Sequence, residues 1–120
     1  MLIKHRFSLP VITLMLALAG GTASAIEVAP GLIELAKSGD REAQYQLGLQ
    51  LTLGDAGEVE RGVGWLSKAA DQLHYEAANQ LGKMYVSGLG VPLDPEAGRR
   101  WFARATEIAE RTRQTIEDCY

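Results

Sequence analysis

Glu42-Ala43-Gln44-Tyr45-Gln46-Leu47-Gly48 returns further along the chain as Glu76-Ala77-Ala78-Asn79-Gln80-Leu81-Gly82, identical at Glu, Ala, the second Gln and the Leu-Gly pair. A second echo follows each copy: Trp65-Leu66-Ser67-Lys68-Ala69 is matched by Trp101-Phe102-Ala103-Arg104-Ala105 at nearly the same offset. Self-similarity at this period marks stacked helix pairs, because one pair cannot cover its own apolar face and the next completes it. Arrays of this kind bind partners more often than they perform chemistry.

Working outward, Pro30 can open a leading helix with Leu32, Ile33, Leu35 and Ala36 as its apolar stripe, and Ser38-Gly39 closes it. Asp40 then caps a helix whose Ala43, Leu47 and Leu51 recur at every fourth position. Gly54 to Gly57 break the chain. A third helix is expected from Glu58 to Asp71, burying Val63, Leu66, Ala69 and Ala70, and a fourth from Tyr75 to Val86. After a turn from Ser87 to Pro92, Asp94-Pro95-Glu96 supplies cap, first-turn proline and an acid beside the positive helix end. That last helix is expected to reach Glu117. No stretch alternates with a period of two, so the prediction is an all-α, short α-solenoid of antiparallel helix pairs with about five helices.

Glycines stand at 48, 62, 64, 82 and 98 inside these helices, each costing up to about 1 kcal/mol against alanine. Gly48 and Gly82 are equivalent, as are Gly62 and Gly98, which points to helix backbones in contact. Neither a strand nor a phosphate-loop spacing accompanies them.

The segment from Met1 to Ala25 reads as a cleavable signal peptide. Lys4, His5 and Arg6 precede an apolar run from Leu9 to Ala19, and Ala23-Ser24-Ala25 offers a small-x-small cleavage site. The alternative is an uncleaved anchor, but the run is short of the roughly 20 residues that span a bilayer. Cleavage after Ala25 places Ile26 to Tyr120 in the periplasm or outside the cell, with no stable membrane insertion afterwards. Ten basic residues then face fifteen acids, which argues against nucleic acid. The expected divisions are a leading helix (26–39), a first repeat (40–73), a second repeat (74–110) and a helix end with tail (111–120). The sole cysteine, Cys119, has no intrachain partner. It is either a bystander in a frayed tail or the link in a disulfide dimer.

The chain resembles the Sel-one-like repeat family, relatives of tetratricopeptide repeats. In the second copy the resemblance rests on Ala77, Leu81-Gly82, Tyr85, Gly88-Leu89-Gly90-Val91, Asp94, Ala97, Trp101-Phe102 and Arg104-Ala105. In the first it rests on Ala43, Leu47-Gly48, Gly54, Trp65-Leu66 and Lys68-Ala69-Ala70. The first copy departs from the pattern: Leu51 replaces the tyrosine, Arg61 stands at the alanine position, and its loop is shorter by two. Leu73 occupies a spot where the family prefers glycine. What the resemblance implies is a protein or peptide partner held on the concave side by the first helix of each pair. Tyr45, Leu49 and Thr52 are then the candidates in the first copy, with Asn79, Lys83 and Val86 in the second. The other meaning of Tyr45 and Leu49 is contact with neighbouring helices. Leu47, Gly48, Trp65, Leu81, Gly82, Tyr85 and Trp101 are the structural signature, the two tryptophans serving as anchors and the last helix as an end cap.

Chemistry is not signalled. His74 lies at a turn without a ligand set or a nucleophile beside it, and is read as structural or solvated. Asp55, Glu58 and Glu60 suit a helix start and lack calcium-loop spacing. Ser67 and Ser87 have no partner base. Arg99, Arg100, Arg104, Arg111 and Arg113 form either a wet helix face or a dock for an acidic partner. No cofactor, metal or enzymatic activity is expected. The functional expectation is an exported interaction module or adaptor. Its rivals are a secreted hydrolase of the same family, whose members carry two cysteines per repeat, and a passive subunit stacking on its own copies.

Overall fold

The computed structural model describes residues 27–120. Among them the chain forms five helices and no strand: α1 (Pro30–Lys37), α2 (Arg41–Leu51), α3 (Ala56–Asp71), α4 (Tyr75–Ser87) and α5 (Pro95–Asp118). Each packs against the next in sequence, as a short helical solenoid requires. The signal-peptide expectation falls on residues outside those described.

The helix ends explain the boundaries. Asp40 accepts the Ala43 N–H at 2.7 Å and Asp94 accepts that of Ala97 at 3.0 Å. Helix α3 begins at Ala56, earlier than the expected Glu58. Asp55 and Glu58 form a reciprocal capping box, at 3.0 and 3.1 Å, which outweighs the breaker character of Gly57. Helix α4 runs one position past Val86 and ends on Gly88 in the left-handed conformation. Helix α5 reaches Asp118, so Cys119 is an exposed helix C-cap.

Both junctions between helix pairs use one device. After α1, Gly39 N–H bonds to Ala36 O at 3.2 Å and Asp40 N–H to Leu35 O at 3.2 Å. After α3, Leu73 N–H bonds to Ala70 O at 3.0 Å and His74 N–H to Ala69 O at 3.1 Å. These are paired Schellman closures, which need a left-handed residue at their centre. Gly39 supplies it freely at φ +99°, whereas Leu73 adopts φ +65° against its Cβ.

The core is built from alanines that let helices approach and a few large side chains. Leu66, Leu81 and Ile108 are fully buried in a cluster contributed by α3, α4 and α5. A smaller cluster of Ala36, Ala43, Leu47 and Leu51 joins α1 to α2, and Trp65 lies half-buried across it. Trp101 does the same against the larger cluster. Both indoles sit in seams, as the repeat pattern requires. Leu35 is the exception in the leading helix: it is 56% exposed, and Ala36 on the next position takes the buried place.

Candidate partner-binding groove

The six candidate residues separate into two groups. Tyr45 and Leu49 are half-buried and pack on the larger core cluster. Their equivalents in the second repeat, Asn79 and Lys83, are polar, and Val63, which also packs on that cluster, has Arg99 as its counterpart. The face that stacks in the first repeat is therefore wet in the second.

Thr52 and Lys83 come together in one cleft of about 410 Å3 between the α2–α3 loop and α4, which Leu53, Gln80, Met84, Ser87, Leu89 and Gly90 complete. Val86 is exposed nearby on α4, next to Ser87, and one of its methyls lies against Gly98. Leu53 is 81% and Leu89 72% exposed, so two leucines in separate loops flank a cleft that carries the Lys83 ammonium. Sequence inspection missed both leucines. The signal was their glycine neighbours, since an apolar residue beside Gly54, or between Gly88 and Gly90, sits in a turn with no helix face to bury it.

A second constellation was also missed, and it is structural. His74 is 7% exposed and occupies in the second repeat the position that Asp40 holds in the first. Its Nδ1 accepts the Ala77 N–H at 3.3 Å, capping α4. On the other side of the ring, Nε2 and Glu42 Oε2 are hydrogen-bonded at 2.9 Å. The ring stacks on Tyr45 at 4.4 Å between centroids, and Glu76 Oε2 stands 3.3 Å from Nδ1. Gln46 donates to Glu42 at 2.8 Å, and this bond first, then His74, holds the Glu42 carboxyl below the usual carboxylate range. Burial pushes the Tyr45 phenol up, with Glu76 and Glu42 adding to it. Alongside, Gln72 donates to Gln44 at 2.8 Å and to Gly39 O at 3.0 Å, tying the two junctions together. Tyr45 is thus a strut between repeats.

On α5, the Arg104 and Arg111 guanidiniums contact Glu107 at 2.9 and 2.6 Å and hold its carboxyl low. Arg99 pairs with Glu96. These arginines belong largely to a face neutralised by its own acids. Among the described residues no group of three or more His, Cys, Asp or Glu side chains has the geometry to hold a metal, and no helix is long and apolar enough to cross a membrane.

The Sel1 repeat family model matches residues 41–72 and 76–107, just over half of the chain and nearly the whole of both helix pairs. The chain belongs to the Sel1 repeat family. It is also similar to a crystal structure of a Sel1 repeat protein from Oxalobacter formigenes, at 26% identity and a TM-score of 0.58 over 62% of this chain. The match spans 22% of that protein's length, so this chain corresponds to about a fifth of it. Sel1 repeats generally mediate contacts between proteins and are typically without enzymatic activity.

Proposed function

We propose that this Sel1 protein is an exported interaction module that holds a segment of a partner protein in the cleft between the α2–α3 loop and α4. The observation that carries this reading is the exposed pair Leu53 and Leu89 flanking Thr52 and Lys83. Two large apolar side chains left in water beside a cleft favour a partner that covers them, and burying a leucine is worth about 1.5–3 kcal/mol. Lys83 adds a preference for an acidic group on that partner. Export is supported by Lys4 to Arg6, the apolar run that follows and Ala23-Ser24-Ala25. The partner then belongs to the bacterial envelope or the outside medium.

A photo-crosslinking residue placed at 53, at 89 or, as a control, at 110 in cells expressing the full-length chain tests the groove. The expected result is one adduct of the same mass from positions 53 and 89 and none from 110. Loss of both adducts, or an equal adduct at 110, overturns the groove assignment. Recovery of the protein in the cytoplasm with Met1 intact overturns the export.

A further inference from the structure

Helix α5 continues past the core it helps to build. Ile108 is its last buried residue, and every residue from Ala109 to Tyr120 is exposed. The helical stretch from Ala109 to Asp118 therefore carries on for about 15 Å beyond that core. Its apolar stripe extends the buried one: Ala105 and Ile108 are followed on the same face by Thr112, Ile116 and Cys119. Ile116 is 54% exposed. The Thr112 and Thr115 hydroxyls donate to the Ile108 and Arg111 carbonyls, each at 3.0 Å, so neither needs water. Charge along this segment is ordered, bases first and acids last. Arg111 and Asp118 flank the stripe on one side, Arg113 and Glu117 on the other.

We propose that this end of α5 pairs antiparallel with the same segment of a second copy of the chain. A two-fold axis beside Thr115 sets each flank of the helix against its own counterpart, so contacts come in reciprocal pairs. Arg113 of each copy then meets Glu117 of the other, and Arg111 meets Asp118. Four attractive pairs flank one apolar seam. Both pairings share the same centre, next to Thr115, so one register satisfies both flanks. Parallel pairing would instead set bases beside bases and acids beside acids. Among the described residues Arg113, Glu117 and Asp118 have no ion-pair partner, while Arg111 already touches Glu107 at 2.6 Å and would bridge two acids. Glu110 stays on the outer face. The overlap is shorter than a standard interface needs, so the dimer is weak and sensitive to salt. It also keeps the thiols apart: Cys119 faces Arg111 of the second copy, about 12 Å along the axis from the other cysteine and out of disulfide reach.

The test is sedimentation equilibrium of the protein purified from full-length expression, in reductant, at low and high salt, from micromolar to millimolar concentration. The expected result is a monomer–dimer equilibrium whose Kd rises in high salt and is unchanged in Cys119→Ser. Arg113→Glu alone and Glu117→Arg alone should each raise Kd by about tenfold, as two exposed pairs turn from attraction to repulsion. An equimolar mixture of these two variants should form a heterodimer near the parental Kd, because one copy then presents only Glu at both positions and the other only Arg. Loss of helix in α5 cannot be rescued by mixing, so failure of the mixture to associate overturns the pairing. A monomer at every concentration, a dimer indifferent to both charge reversals, or a dimer that forms only when Cys119 is oxidised overturns it as well.

Discussion

The Gly48 carbonyl oxygen stands 2.8 Å from where a Cβ on Gly62 would lie, and the Gly62 carbonyl is 3.1 Å from the corresponding point on Gly48. Helices α2 and α3 therefore meet backbone to backbone. The second repeat does the same, with the Gly82 carbonyl 3.0 Å from the Cβ position of Gly98. Because the obstacle is backbone, the usual relief of turning a side chain is missing. Gly62→Ala is expected to lower stability by about 1–3 kcal/mol despite the better helix propensity of alanine. Urea unfolding followed by circular dichroism measures it, and an unchanged midpoint would refute the contact.

Gly64 gives the opposite sign. It is exposed in the middle of α3, and a Cβ there meets nothing within 4 Å. Gly64→Ala is expected to raise stability by about 0.5–1 kcal/mol, in the same assay.

Leu73→Gly is expected to stabilise as well. A left-handed non-glycine residue costs on the order of 1–3 kcal/mol, of which glycine's freer unfolded chain takes back up to about 1. Leu73 is 38% exposed, so the packing it gives up offsets part of the relief and the net gain stays below about 1 kcal/mol. The same substitution in reverse, Gly39→Leu, should cost a similar amount, since that residue holds φ +99°.

Acid should loosen the link between α2 and the His74 junction. The folded protein holds Glu42 ionised at lower pH than the unfolded chain does, through Gln46 and then His74. Its contribution is therefore complete above the unfolded pKa and is lost as pH falls through the lower folded one. The wild type should exceed Glu42→Gln in Tm at neutral pH, with the gap closing below the carboxylate range. The side chain is 62% exposed, so high salt should also shrink the gap. A gap that widens in acid contradicts the linkage.

Leu53→Ser with Leu89→Ser should leave stability within about 0.5 kcal/mol of wild type, because both side chains stand in water. A large loss on thermal unfolding would mean that they hold the loops together, and would remove them as a partner surface.

Much of the fold is legible in the sequence because it rests on local rules repeated twice. Asp40 and Asp94 announce helix starts, Gly39 and Gly88 announce ends, and the shared offset of Leu47-Gly48 with Leu81-Gly82 announces stacking. The start of α3 is harder to place, because two glycines mask a capping box built from Asp55 and Glu58. The site is less legible. Tyr45 and Leu49 have the composition of groove residues but belong to the seam, and His74 looks like a turn residue although it repeats the cap of Asp40.

Sequence alone determined that the described chain is helical, paired and duplicated, since periodicity, caps and breakers act between residues a few positions apart. It also showed where helices would touch, because glycine recurs where a side chain would not fit. Tertiary structure decided which apolar residues face a neighbour and which face water. Val63 and Arg99 hold equivalent places, yet Val63 packs against the larger cluster and Arg99 stands exposed. It likewise brought Glu42 to His74 and Thr52 to Lys83, pairs that lie in different repeats. Such meetings depend on how one helix pair leans on the next, a rotation that no local rule encodes.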